Sequence, residues 1–153
     1  MRVPYILVPG HRPSPSLAGS TLRYRPLMAV RLFGPHASRL RDGLLDTGAD
    51  ETVFEDALAP LIGIELSHAE ERNVRLVGRA KAVRCRYAPV KLRITDGVSE
   101  TYEWTAVVGF AATNLRYQLL GHAGFLQFFD AEFRGADQEV ILAPNRSFPG
   151  TGP

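Results

Sequence analysis

Residues 73–97 read NVRLVGRAKAVRCRYAPVKLRITDG, with Val74 and Leu76, then Val90, Leu92 and Ile94, set against Arg75, Lys91 and Arg93. Alternation with a period of two sends successive side chains to opposite faces of an extended chain, so this span predicts half-buried β-strands and excludes an amphipathic helix. Gly78 interrupts the first run and Thr-Asp-Gly at 95–97 ends the second. Two hairpins follow, with SETYEWTAVVGF as the next strand. Upstream, YRPLMAVRLFG is apolar and β-compatible, GPHASRLRDG carries turn signals, and GLLDTG resumes a strand until Gly48 breaks it. This predicts a hairpin that delivers Asp46 to a loop. EDALAPLIG at 55–63 suits one short helix, with acids near its start and Pro60 and Gly63 limiting its length. YQLLGHAGFLQFFDAEF then runs an apolar strand into Gly121 and a short helical turn, and EVILAP is a last strand. The expected class is all-β with one or two short helices.

A chain of 153 residues, 45% hydrophobic and 22% charged, can bury one core and predicts one domain. Its expected limits are 22–144, with a Pro/Ser-rich N-terminal arm at 1–21, ordered structure starting near Leu22, and a Pro/Gly tail at 145–153. The net charge of +2 is small and the basic residues are dispersed, which speaks against a nucleic-acid partner. Only Lys81 and Lys91 among the 18 basic residues are lysine, a usage that suggests a GC-rich bacterial genome. Cys85 is alone, and His11, His36, His68 and His122 have no metal-ligand spacing. No structural metal, no cofactor and a reducing compartment are expected. The apolar stretch at the N-terminus is too short for a signal sequence or a membrane span, so a cytoplasmic protein without membrane contact is expected.

Asp46 follows Leu44 and Leu45, where a strand enters the core. Asp-Thr-Gly alone is good turn chemistry in any protein, because aspartate bonds to its own backbone and glycine tolerates unusual dihedrals. Here it continues into ADETVF and is answered by LLGHAGFL at 119–126. That joint pattern resembles the retroviral-type aspartic proteases, the retropepsins, and their bacterial relatives. The resemblance spans 26–144 and is most specific at 44–53.

The resemblance implies a single-lobe acid-protease closed barrel that forms a twofold homodimer and hydrolyses peptide bonds in peptide or protein substrates. Amide hydrolysis without a metal or a covalent nucleophile requires one group to deprotonate water and another to protonate the carbonyl oxygen. Two carboxylates held about 3 Å apart share one proton and meet both needs. This chain has one Asp-Thr-Gly, so the second carboxylate would be Asp46 of a symmetry mate. By resemblance, Thr47 locks the dyad across the axis and Gly48 permits the tight turn and the approach of substrate backbone. Asp50 would bind substrate main chain, and Glu51 would flank a side-chain pocket that favours basic or polar groups. Val77, Gly78 and Arg79 would form the flap, while Leu45, Gly121 and His122 would support the active-site loop. Cys85 is expected to be packing, not a reactive thiol.

Several positions depart from that family. His122 stands where retroviral enzymes carry arginine, the flap candidate has a single glycine, and the leader and tail match nothing there. A second reading stays open: a retropepsin-fold binding or assembly module without proteolysis, in which Asp46 serves loop geometry.

Overall fold

The computed structural model describes residues 1–75 and 81–152. The flap candidates Val77, Gly78 and Arg79 lie outside the described residues. In chain order the strands are β1 (Arg2–Pro4), β2 (Ile6–Pro9), β3 (Leu22–Arg25), β4 (Leu27–Phe33), β5 (Ser38–Leu45) and β6 (Val53–Glu55). After helix α1 (Leu58–Ile62) come β7 (Glu70–Val74), β8 (Val83–Thr95), β9 (Thr101–Ala111), β10 (Gln118–Leu120), β11 (Phe129–Arg134) and β12 (Glu139–Pro144). Two 3-10 turns occupy Pro15–Leu17 and Leu126–Phe128.

The main sheet runs β4-β5-β10-β6-β9-β8, and β8 pairs back onto β4, so six strands close into a barrel with β7 added outside β8. Closure removes the unpaired edges that an open sheet would expose. The expected hairpins are present. β4 and β5 pair antiparallel from Leu27↔Leu44 to Phe33↔Ser38, and β8 and β9 pair from Cys85↔Ala111 to Thr95↔Thr101. The turn between β8 and β9 is held by Asp96 Oδ1, which accepts the backbone N–H groups of Val98, Ser99 and Glu100. Helix α1 ends at Gly63, whose φ of 81° is the left-handed cap that glycine supplies without strain.

Inside the barrel, Val30, Leu32, Val90, Leu92, Phe110 and Leu120 are buried, as the alternating pattern predicts. Trp104 packs edge-on against Phe125, Phe129 and Phe148, and its indole N–H donates to Gly124 O at 3.0 Å. The N–H finds a buried partner, which is what makes a fully enclosed tryptophan tolerable.

Both ends differ from the expected arm and tail. β1 pairs with β12 in a three-stranded sheet with β11, and β2 pairs with β3 as a ribbon from Ile6↔Arg25 to Pro9↔Leu22. Pro4 and Pro9 close their strands, where a missing N–H is tolerated. The C-terminal segment returns to β9, where Thr151 bridges Glu103 and Phe148 joins the aromatic cluster. Apolar residues within both ends find sheet or core surface, and composition alone hid that. Among the described residues, no helix is long and apolar enough to cross a membrane.

Candidate active site

Strand β5 leads directly into Asp46, and its neighbours fix that path. Leu45 is buried, and its N–H donates to Pro26 O at 2.9 Å. Gly43 lies so close to β10 that an added Cβ would sit 2.6 Å from the Leu120 side chain. β10 runs parallel to β5, with Leu119↔Leu44 and Leu120↔Leu45 in register. Asp46 is the first residue beyond this pair, and its own N–H donates to Leu120 O at 3.1 Å.

A backbone clamp holds the loop that follows. His122 N–H donates to Ala49 O, Ala123 N–H to Asp50 O, and Thr52 N–H to Ala123 O, each at 2.9 Å. Gly121 sits under this crossing, where a Cβ would lie 2.3 Å from Glu51 O and 2.7 Å from Ala49 O. Only a residue without a side chain fits, so Gly121 supports the loop by absence of bulk. His122 supports it through its backbone, while its imidazole faces solvent.

Asp46 Oδ1 accepts the Gly48 N–H at 3.0 Å, and Ala49 N–H donates to Asp46 O at 3.1 Å. The turn chemistry expected of Asp-Thr-Gly is therefore present in the same loop that turns the carboxylate to the cavity. Gly48 is not in the left-handed region; what constrains it is proximity, since a Cβ would approach Asp46 Oδ1 to 3.3 Å. Thr47 and Asp50 are exposed, and Asp46 and Glu51 are half-buried.

Asp46, Gly48, Asp50 and Glu51 line one cavity of about 800 Å³, together with Val53, Leu119 and residues from β3, β7, β8 and the loop before β10. That volume lies within the usual range for pockets that take ligands. Two features of its wall were missed by sequence reasoning. Tyr87 donates its hydroxyl to Glu51 Oε2 at 2.5 Å, so the carboxylate expected to select basic side chains already has a partner. Burial, and then the bond to Glu51, push the Tyr87 phenol well above its ordinary range. The second feature is charge. Arg25, Arg72, Arg75 and Arg116 line the same cavity, and the Arg72 guanidinium lies 5.9 Å from the Tyr87 ring centre while bonded to Glu70.

Cys85 is fully buried beside Val53 and Ala111, and burial pushes its thiol upward, away from the reactive thiolate. It is packing, as expected.

A carboxylate on a backbone-clamped loop in the wall of such a cavity can hold and move a proton. Of the three acidic residues of that loop that line the cavity, Asp46, Asp50 and Glu51, only Asp46 belongs to Asp-Thr-Gly, so the motif supplies one carboxylate per chain. The sequence profile of the family described as retroviral aspartyl protease matches residues 22–127, more than half of the chain. Among solved structures, a retropepsin-like aspartic protease from Rickettsia conorii is similar at 18% identity, with a TM-score of 0.47 over 90% of this chain and 89% of that one. The EIAV protease complexed with the inhibitor HBY-793 is similar at 20% identity, with a TM-score of 0.44 over 64% of this chain and 82% of that one.

Proposed function

This chain belongs to the retroviral aspartyl protease family, and from that premise we propose that it is an aspartic endopeptidase whose active form is a homodimer. The observation that carries the reading is Asp46, half-buried at the start of the clamped loop and lining the 800 Å³ cavity with the carboxylate of Asp-Thr-Gly. A twofold axis beside that loop would bring it against the partner's Asp46. One carboxylate takes a proton from water, whose oxygen attacks the carbonyl carbon, while the protonated carboxyl gives its proton to the carbonyl oxygen. The resulting tetrahedral diol collapses as the carboxyl that took the water proton gives it to the amide nitrogen, one diol hydroxyl gives its proton to the other carboxylate as C=O re-forms, and the C–N bond breaks. The carboxylates end with one shared proton, as they began.

In this reading the exposed Thr47 reaches the partner loop, Gly48 lets substrate backbone approach, and Asp50 receives substrate main-chain donors. A cytoplasmic site of action fits the single buried thiol.

The test compares wild type with Asp46→Asn on a peptide library, with sedimentation run alongside. Cleavage should fall by at least about 100-fold with the circular dichroism spectrum unchanged. Equal cleavage by both proteins would exclude Asp46. A monomeric wild type that binds peptides and cuts none would favour the binding-module reading.

A further inference from the structure

Beside the Asp46 cavity lies a second one of about 480 Å³, walled by Val8, His11, Arg12, Arg23, Arg25 and Arg116 among others. The two cavities share Arg25, Leu44, Arg116 and Tyr117, so a chain crossing one continues into the other. Four arginines line the smaller cavity, and no Asp or Glu does so among the described residues. Overall charge does not explain this, since the whole chain carries only +2.

Neutral acceptors hold two of these guanidinium groups, those of Arg116 and Arg23, in place. Arg116 Nη2 donates to Pro9 O at 2.7 Å, and its Nη1 lies 3.5 Å from His11 Nε2. Arg23 Nη2 donates to Arg12 O at 2.9 Å, and Nη1 to Thr21 O at 3.4 Å. Carbonyl oxygens orient the cations without cancelling their charge. A planar guanidinium fixed in this way suits a carboxylate, which it can bind through two parallel hydrogen bonds.

We propose that this cavity is a subsite for acidic side chains of the peptide substrate, and that the N-terminal leader builds its outer wall. The inference rests on the endopeptidase reading and adds a substrate class to it: peptides with Asp or Glu near the scissile bond. The leader therefore shapes the cleft instead of lying apart from it, since β2 and residues 10–12 supply Val8, His11 and Arg12.

The experiment measures kcat/KM for paired peptides that differ by Glu against Gln at each of the four positions on either side of the cut. Because a twofold dimer presents this cavity on both sides of the cut, Glu should be preferred about tenfold at matching positions on either side of the scissile bond, mainly through KM. The preference should shrink between about 50 mM and about 0.5 M salt. Arg116→Gln and, separately, Arg12→Gln should each bring the ratio below about threefold. The Arg12 variant guards against a leader detached by loss of the Arg116 bond. Ratios near one at every position, or ratios unmoved by both variants, overturn the proposal. If wild type cuts nothing, the endopeptidase reading fails, and fluorescence anisotropy of the same peptides with Asp46→Asn still decides the subsite. In that assay, equal affinity for the Glu and Gln peptides overturns it. So does a single-stranded oligonucleotide that binds as tightly as the acidic peptide at equal salt.

Discussion

The clamp beneath Asp46 and the arginine wall beside it are held by different kinds of bond. In the clamp, backbone meets backbone: residues 49–52 and 121–123 exchange main-chain hydrogen bonds around a glycine with no room for a methyl group. The wall is held by long side chains reaching single carbonyls, on a two-stranded ribbon whose Leu7, Leu22 and Tyr24 are 45%, 47% and 49% exposed. Directly paired residues share a face, so Leu7 and Tyr24 lie together on the outward side. The difference separates two tasks. Atoms that fix the carboxylate cannot vary without moving the loop, whereas side chains in the wall can change while the ribbon keeps its path. Reaction chemistry is thus tied to backbone sterics, and substrate choice to replaceable side chains.

The contrast can be broken most directly at Gly121. Gly121→Ala forces a Cβ against two backbone oxygens, which cannot rotate away as a side chain could. We expect a loss of about 3 kcal/mol or more, seen as a fall of roughly 6–12 °C in Tm, with peptide cleavage reduced as the Asp46 loop shifts. A variant with wild-type Tm and activity would show that the clamp is as tolerant as the wall.

Tyr87→Phe probes the side-chain link that ties β8 to the clamped loop through Glu51. Near neutral pH the variant should lose about 1 kcal/mol. The pH profile gives a second reading. The folded state holds the Tyr87 proton more tightly than the unfolded chain, which releases it near pH 10. Above that point the unfolded state carries fewer protons than the native one, so this contribution is complete below about pH 10 and is lost as pH rises beyond it. Urea titrations from neutral to alkaline pH should show a steeper alkaline decline in wild type than in the variant. Parallel declines would mean that the phenol plays no part.

The smallest effect belongs to the ribbon. Tyr24→Ser should alter stability by no more than about 0.5 kcal/mol, because the ring is half in solvent and outside the core clusters. A cost above about 2 kcal/mol, measured by urea unfolding, would place the ribbon in the same class as the clamp.

Legibility in the sequence follows the same division. The β4–β5 hairpin, the short helix capped by Gly63, the strand running into Gly121 and the delivery of Asp46 to a loop could all be read from local patterns of polarity and glycine. Tyr87 could not. β8 buries Ala88, Val90, Leu92 and Ile94 in the barrel, but its first half turns the opposite face inward, placing Cys85, Val83 and Tyr87 against the smaller cluster near the site. A strand that exchanges its buried face midway defeats a single alternation. The arginine wall was hidden for another reason. Arg116 and Pro9 are 107 positions apart and meet only in three dimensions, and the Pro- and Ser-rich composition around residue 12 resembles that of a mobile arm. Pairing of β2 with β3 across that segment gives the leader its order.

Parallel pairing of β5 with β10 also has a consequence in time. Strand order joins residues 43–45 to residues 118–120, and the clamp needs residues 121–123 as well. On a growing chain the Asp46 loop therefore lacks its anchoring donors until most of the polypeptide has been synthesised. Contacts so distant in sequence form late, after the cost of closing a long loop has been met. A nascent or truncated chain ending before Gly121 contains the Asp-Thr-Gly sequence but not the site, so the carboxylate is set in place only as the barrel nears completion.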